Sequence, residues 1–239
     1  MKPVKFLLVV AFLAGITPAF AQKKDPVEIY GAGKDIVNMR TFQDPVSNSK
    51  EWVRADVILR GIENPDKTAT DEREKRWIRD VSLDITVVYV KPSATTKEAK
   101  WNPKNWIVLK SKADLVAIEK GKNSIVTFFM PPEIKDIYRL QDSQRLFFIL
   151  DLSVMGNKVE LTQKNLKKFI SKSLASQIRN MKQFDKLKQD LAAASSVNEG
   201  WLITLPKAPF QVQFEEYYGK SKTQFVQQNA IPTYKAESK

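Results

Sequence analysis

The 239-residue sequence contains neither cysteine nor histidine. Histidine is the usual general base near neutral pH and the commonest nitrogen ligand for metals. Its absence excludes Ser-His-Asp triads, Cys-His dyads and ordinary zinc sites. The absence of cysteine excludes disulfides and thiolate chemistry, so the core alone must stabilise the fold. The function classes that remain are binding without chemistry and chemistry that uses carboxylates only.

Glycine is scarce as well, with eight residues, and none of them forms a phosphate-binding loop. Gly31-Ala32-Gly33 lacks the spacing of a dinucleotide-binding fingerprint. The acidic stretch 66–72 lacks the glycine and the alternating oxygen ligands of a calcium loop. We therefore predict no cofactor and no metal site.

The carboxylates give no local catalytic pair. Glu215 and Glu216 are adjacent, so on a strand they face opposite sides. Asp80 and Asp84 share a face but lie about 13 Å apart at roughly 3.3 Å per residue. This distance exceeds the spacing of about 5 to 9.5 Å that glycosidases use. A carboxylate-dependent polysaccharide hydrolase is the third functional hypothesis, because a pair would have to come from separate strands.

Only one long apolar run is present, within "FLLVVAFLAGITPAFAQKK" at residues 6–24. A basic start, a short apolar centre and the small-x-small exit at Ala19-Phe20-Ala21 are typical of a signal peptide. We predict that residues 1–21 are removed and that the chain works in the periplasm, the outer membrane or at the cell surface. A retained anchor or filament stalk is the alternative, but it would place Pro18 inside a helix at a cost of about 3 kcal/mol.

Alternation of apolar and polar residues predicts a mainly β protein. Strands are expected at 52–60, 77–90, 106–109, 113–119 and 124–130, with a hairpin turn at Lys120–Asn123. A nearly continuous apolar strand, "QRLFFILDLSVMG", should be covered on both faces, and "FQVQFEEYY" at 210–218 alternates again. We predict an antiparallel immunoglobulin-like β-sandwich over residues 22–219 and a polar C-terminal tail over 220–239, pinned by a few apolar residues that include Tyr234.

One long amphipathic helix, residues 163–193, is predicted before the last strands. Apolar residues recur there at steps of three and four: Leu166, Phe169, Ile170, Leu174, Ile178, Met181 and Phe184. The opposite face is strongly basic, and its candidate polyanion-binding residues are Lys164, Lys168, Lys172, Arg179 and Lys182. Such a face binds anionic glycans or lipid surfaces, or it is simply solvated. Lysine predominates and no aromatic residue interleaves, which disfavours nucleic acid.

Three stretches, "SKEWVRADVILRGIENP", "RWIRDVSLDITVVYVKP" and "EGWLITLPKAPFQVQFEEYYG", resemble the pilus-like protein family of Akkermansia-type Verrucomicrobia. The resemblance covers most of the chain after the predicted signal peptide. It implies an immunoglobulin-like sandwich that works with type IV pilus-type machinery at the envelope, and it brings no catalytic residues. A polymerising pilin keeps its apolar N-terminal helix, whereas residues 1–21 are predicted to be removed, so an accessory or adaptor role fits better.

The leading hypothesis is therefore a non-enzymatic envelope protein that acts through protein–protein contacts in pilus-type assembly or adhesion. Its expected partners are pilus-type machinery, envelope proteins or further copies of the chain. The alternative is a binding module for anionic glycans or lipid surfaces.

Overall fold

The computed structural model describes residues 25–31, 36–43, 50–194, 202–208 and 232–235. Within them, two antiparallel sheets pack face to face. The predicted signal peptide and the predicted strand at 210–218 lie outside the described residues.

The first sheet contains β1 (Val27–Tyr30), β2 (Val37–Gln43), β3 (Glu51–Gly61), β6 (Asn123–Met130) and β9 (Ile203–Thr204). β3 lies at its centre, with β6 on one side. On the other side of β3, β2 pairs with residues 51–57 and β1 with residues 58–61, so the two short strands share one edge. β9 pairs with the far side of β6, at Phe128 and Phe129 only.

The second sheet contains β4 (Trp77–Val90), β5 (Trp106–Glu119), β7 (Arg145–Val154), β8 (Asn157–Lys158) and β10 (Thr233–Tyr234). Its strand order is β10-β5-β4-β7-β8. The pairing of β3 with β6 and of β4 with β7 matches that of strands B with E and C with F in immunoglobulin folds. The predicted β-sandwich is confirmed, and the strands predicted at 106–109 and 113–119 are one continuous β5.

Alternation along the strands builds the core between the sheets, because side chains two residues apart point to the same face. Its largest fully buried members include Leu59, Leu83, Ile85, Tyr89, Leu109 and Phe128. The predicted hairpin at Lys120–Asn123 joins β5 to β6, with Gly121 at a φ of 78°. The β7–β8 hairpin turns through Met155 and Gly156, both at positive φ, as a two-residue type I′ turn requires.

Helices complete the described part of the chain: α1 (Glu72–Lys75), α2 (Lys97–Lys100), α3 (Pro132–Tyr138), α4 (Lys172–Ala175) and α5 (Met181–Ala194). Short 3-10 turns lie at Pro103–Asn105, Asp142–Gln144, Leu166–Lys168 and Leu205–Lys207. α4 and α5 cover half of the outer face of the second sheet. There the sheet presents Val88, Trp106, Val108, Phe147 and Ile149, and the helical segment packs Leu166, Ile170, Leu174, Phe184 and Leu187 against them.

The prediction of one helix over 163–193 is wrong. The chain instead makes a 3-10 turn, the one-turn helix α4 and the 14-residue helix α5. Between the first two, residues 169–171 run along the edge of β7: Leu150 N donates to Phe169 O at 2.7 Å and Ser171 N donates to Phe148 O at 3.1 Å. These backbone groups are therefore not available for a helix.

The apolar periodicity over residues 163–193 correctly predicted that these apolar residues are buried, but it wrongly predicted a single helix. Phe169 enters the core between the sheets while Ile170 packs under the helices, which is the opposite-face pattern of extended chain. Capping residues mark the two restarts. The Ser171 side chain accepts a hydrogen bond from Leu174 N at 3.3 Å, and the Asn180 side chain accepts one from Gln183 N at 3.0 Å.

Candidate interaction surfaces

The five basic residues predicted to bind polyanions are all exposed, but they do not share one helix. Lys164 lies in a turn, Lys168 ends the 3-10 turn, Lys172 begins α4, Arg179 precedes α5, and Lys182 lies in its first turn. The helical spacing that predicted a single basic face does not hold. What remains is a segment whose buried side faces the second sheet and whose exposed side is basic.

Lys168 differs from the other four because it forms an ion pair with Glu28 on β1. This pair ties the 3-10 turn to the first sheet. Among the described residues, no acid lies within ion-pair distance of Lys164, Lys172, Arg179 or Lys182. Within the described residues, Lys168 therefore has a structural ion pair that the other four predicted residues lack.

The edge strand β2 is a second candidate surface. Among the described strands it pairs with β3 alone, over seven residues in register from Val37–Val57 to Gln43–Glu51. An edge of this length presents backbone N–H and C=O groups on its outer side, where a further strand can pair. The side chains at Asn38, Arg40 and Thr41 are exposed, while Val37 is buried in the core.

The hydrogen bonds of the sheet identify which residues of β2 point outward. Thr127 N donates to the Tyr234 hydroxyl at 3.3 Å and therefore points away from β3. Its partner on β3, Asp56, then directs its backbone groups to β2, where it faces Asn38. Because the direction alternates along a strand, the backbone N–H groups of Met39 and Thr41 point away from β3.

A third surface lies at the side of the sandwich formed by β5 and β6. Only β10 pairs with the outer side of β5 in the described chain, through Thr233 opposite Ala117 and Tyr234 opposite Leu115. The sequence assigned residues 220–239 to a separate tail, but residues 232–235 belong to the sandwich. The expectation that Tyr234 pins the chain end agrees with its contacts to both the inter-sheet core and the cluster around Trp52 and Phe129.

Tyr234 also completes a buried polar network on the outer face of the first sheet. Arg54 Nε lies 2.7 Å from Asp56 Oδ1, with only 4% and 10% of the two side chains exposed. Thr127 Oγ1 donates to the same carboxylate at 2.8 Å, and its backbone N–H donates to Tyr234. Burial, only partly offset by the hydrogen bond from Thr127, raises the pKa of Tyr234.

Outside the apolar cluster under α4 and α5, the outer face of the second sheet carries carboxylates. Asp84 lies directly opposite Asp151 on β7 and opposite Lys112 on β5. Asp151 Oδ1 lies 3.0 Å from Lys158 Nζ and 3.6 Å from Lys188 Nζ. Both contacts are ion pairs, but neither has the geometry of a hydrogen bond. The register therefore brings together two acids that are far apart in the sequence.

On this face, the fold shifts the pKa values of Asp84 and Asp114 in opposite directions. Burial raises the pKa of Asp84, Lys112 lowers it, and the negative charges of Asp151 and Asp114 raise it further. For Asp114, burial opposes ionisation, but the Ser82 hydroxyl and Lys112 outweigh it and hold the pKa below its usual range. The folded state thus disfavours a charge on Asp84 and favours one on Asp114.

Asp84 and Asp151 lie on an open sheet face. Two cavities in the described chain are lined by other residues and include neither Asp84 nor Asp151. One of about 450 Å³ lies beside α3, next to Glu51, Lys135 and Arg139. The other, of about 140 Å³, lies next to Asn64 and Asp66. Within the described residues, no group of three or more acids could hold a metal ion, and no helix is long and apolar enough to cross a membrane.

Sequence reasoning missed both sheet edges as sites. The alternation of apolar and polar residues over 37–40 is typical of a half-buried strand, but it does not show which strand lies at the edge of a sheet. For the chain end, a tyrosine within a polar stretch was the only signal. The partners of Tyr234 lie more than a hundred residues away, so its hydrogen bond to Thr127 could not be read locally.

The described residues form a two-sheet antiparallel β-sandwich with a helical cover on the second sheet. No protein-family model matches the chain, and no curated protein matches it. A crystal structure from Akkermansia muciniphila is similar, with a TM-score of 0.51 and 12% sequence identity, over 88% of this chain and 94% of that one. At this identity the likeness shows a shared fold.

Proposed function

We propose that this chain is a non-enzymatic envelope protein that binds other proteins through the edge strand β2, in pilus-type assembly or adhesion. Three observations support the proposal. The first 21 residues have the layout of an export signal. The three stretches quoted above resemble a pilus-like family, and an Akkermansia protein has a similar fold. Among the described strands, the seven-residue strand β2 lies at the edge of its sheet and pairs with β3.

The edge strand carries the argument, because strand addition needs little beyond an accessible backbone. A partner strand gains main-chain hydrogen bonds from the edge and selectivity from alternate side chains. The outward N–H groups of Met39 and Thr41 are the donors of such a ladder. The neighbouring exposed side chains, Asn38 and Arg40, would then contact the partner and favour a strand with acidic or polar residues.

The test removes one outward donor and leaves the existing ladder in place. Thr41→Pro deletes an N–H that points away from β3, so the pairing of β2 with β3 is retained. Thr41→Val is the matched control: it loses the same hydroxyl, which hydrogen-bonds Glu51, but it keeps the N–H. Wild type and both variants are immobilised and exposed to native envelope extract at low and high salt.

We expect wild type and Thr41→Val to capture the same pilus-type or envelope protein at both salt concentrations, and Thr41→Pro to lose it. Main-chain pairing is weakly sensitive to salt, because it does not depend on exposed charges. Capture that survives Thr41→Pro, or that Thr41→Val removes equally, would refute a role of this edge.

A second candidate function is binding of anionic glycans or lipid surfaces by the basic segment. The observation that favours it is the lack of ion-pair partners, within the described chain, for Lys164, Lys172, Arg179 and Lys182, while Lys168 is paired with Glu28. Several exposed cations on one segment attract a polyanion together, and salt screens this attraction over about 8 Å at physiological ionic strength.

Binding to heparin-like polymer and to anionic vesicles tests this function. The variant combines Lys172→Gln, Arg179→Gln and Lys182→Gln, and we expect it to lose binding that is strong at low salt and weak at moderate salt. A control with equal net charge replaces three exposed lysines near Glu119, at the opposite end of β5 from Trp106: Lys67, Lys75 and Lys120. Equal loss in both variants would mean that net charge alone drives binding, without a site.

A further inference from the structure

The C-terminal strand β10 is held by few contacts relative to the strand that it covers. It contributes two residues to the edge of the 14-residue strand β5. One more backbone hydrogen bond follows, from Lys235 N to Asp114 O at 2.7 Å. Lys235 Nζ then lies 2.7 Å from Asp80 Oδ1. Within the described residues, opening this short segment breaks these backbone hydrogen bonds, the hydrogen bond from Thr127 N to the Tyr234 hydroxyl and one exposed ion pair.

The site that receives this segment is chemically specific. Tyr234 packs against the core between the sheets and against the cluster outside the first sheet. Its hydroxyl accepts the hydrogen bond of Thr127 N, a buried donor on β6. An occupant must therefore supply an aromatic ring with an acceptor at its end, because a buried N–H left without a partner costs about 1–3 kcal/mol.

Charge adds a second requirement next to the ring position. Lys235 follows Tyr234 and meets Asp80, while the backbone of Asp114 accepts from Lys235 N. The pKa of Lys235 is raised because its ammonium is hydrogen-bonded to the Asp80 carboxylate. The site thus fits an extended segment with a tyrosine followed by a cation, which is the sequence that every copy of this chain carries at its own end.

We propose that two copies of the chain exchange this segment, so that residues 232–235 of each copy occupy the β5 edge of the other. The contacts are identical within one copy or between two, so concentration and the connecting chain decide the balance. Residues 209–231 form this connection, and a chain of that length spans up to roughly 80 Å when extended. The exchange makes a reciprocal dimer through the β5 edge, independent of β2.

The absence of native cysteine permits a direct cross-linking test. Ala117 and Thr233 are partners in the β5–β10 pair, beside a register shift between Thr233 and Tyr234, and partner residues of antiparallel strands lie at Cα separations that a disulfide accepts. Full-length Ala117→Cys chain is mixed at high concentration with full-length, mass-tagged Thr233→Cys chain and oxidised mildly. The control mixture pairs Thr233→Cys with Lys97→Cys, an exposed position on α2.

We expect several-fold more mixed disulfide dimer from the Ala117→Cys mixture than from the control. Adding Tyr234→Ala to the tagged chain should reduce the dimer to the control level, because the donated segment loses its anchor. Adding Thr41→Pro should leave the dimer unchanged, which separates this result from the proposed role of β2.

The double variant Ala117→Cys/Thr233→Cys checks the geometry within one copy. It should form an intrachain disulfide and stay monomeric. If it forms this bond while the mixture gives no more dimer than the control, exchange does not occur and the proposal is wrong. If the double variant forms no intrachain bond, the position of β10 is wrong and the proposal falls with it.

Discussion

Tyr89 and Tyr234 offer a matched pair of substitutions with opposite expected effects on stability. Tyr89 lies between the sheets with 1% of its surface exposed, and its hydroxyl has no hydrogen-bond partner among the described residues. Burial raises the pKa of Tyr89 to about 12, an effect that Arg145 partly offsets. Tyr234 places its hydroxyl on a buried backbone donor instead. Tyr→Phe removes the same oxygen from both.

Tyr89→Phe should stabilise the fold. Removing a buried hydroxyl without a partner removes a penalty of about 1–3 kcal/mol. The space left by one oxygen costs a few tenths of a kcal/mol, at roughly 24 cal/mol per Å³. The net gain in the free energy of unfolding is about 1–2 kcal/mol. For a chain of this size each kcal/mol raises the melting temperature by about 2–4 °C.

Tyr234→Phe should destabilise the fold by about 1–3 kcal/mol, because Thr127 N loses its acceptor. Thermal and urea unfolding, followed by circular dichroism, measure both variants against wild type. The comparison within the pair removes the general effect of replacing tyrosine by phenylalanine. A loss of 1 kcal/mol or more in Tyr89→Phe would refute the reasoning, since it would mean that the hydroxyl has a partner in solution.

Further substitutions at five positions are expected to have measurable effects on unfolding. Met155→Gly should stabilise by about 1 kcal/mol, because the turn holds Met155 at a φ of 52°, where a side chain is disfavoured. Asp84→Asn should raise stability at pH 7 by about 0.2–1 kcal/mol, the scale of a cross-strand pair. This gain should vanish below about pH 4, where the carboxyl group is protonated in both states. Asp114→Asn should instead lower stability at pH 7. Ile170→Ala should cost about 2–5 kcal/mol, and more than Ile178→Ala, because Ile170 is fully buried and Ile178 only partly.

The sign of the Asp84 effect follows from proton linkage. A carboxyl group whose pKa is raised by folding binds more protons in the folded state than in the unfolded state. Stability therefore falls as pH rises from the unfolded pKa through the folded one, and the penalty persists at neutral pH. For Asp114 the folded pKa is lowered, so its contribution is present at neutral pH and is lost as pH falls through the folded value.

Strand alternation made the sheets predictable, because it reports on each residue locally. Val81, Leu83 and Ile85 read as one buried face in the sequence, and all three are buried between the sheets. The hairpin between β5 and β6 was predictable from its turn residues. These features depend on neighbours along the chain, where sequence patterns carry the most information.

The same local signal failed for residues 163–193, because two kinds of burial share one spacing. Apolar residues at steps of three and four follow either from one helical face or from short helices joined by extended chain. Phe169 and Ile170 are adjacent but pack in different layers, Phe169 between the sheets and Ile170 under the helices, which contradicts a single helical face. Backbone pairing with the edge of β7 decided the outcome, and no local pattern encodes that pairing.

The candidate sites depend on strand pairings that cannot be predicted from the sequence. Asp84 and Asp151 become neighbours only through the register of β4 with β7. Tyr234 reaches Thr127 only after β10 has paired with β5. The exposed positive charge of the basic segment was predictable, since a segment rich in lysine is expected to face solvent. Its arrangement was not, because it depends on where the helices break.

The edges of the two sheets differ in how they are protected, and this difference orders the proposed interactions. Extended chain at residues 169–171 pairs with β7, β9 covers part of β6, and β10 covers part of β5. Within the described chain no strand covers the outer side of β2 in the same way. Unprotected edges favour strand addition, so a partner can pair with β2 without displacing any described strand. At β5 an incoming strand must first replace β10, which a copy of the same segment does at no net loss of contacts. We therefore propose β2 as the edge that binds a different protein and β5 as the edge that binds a second copy of this one.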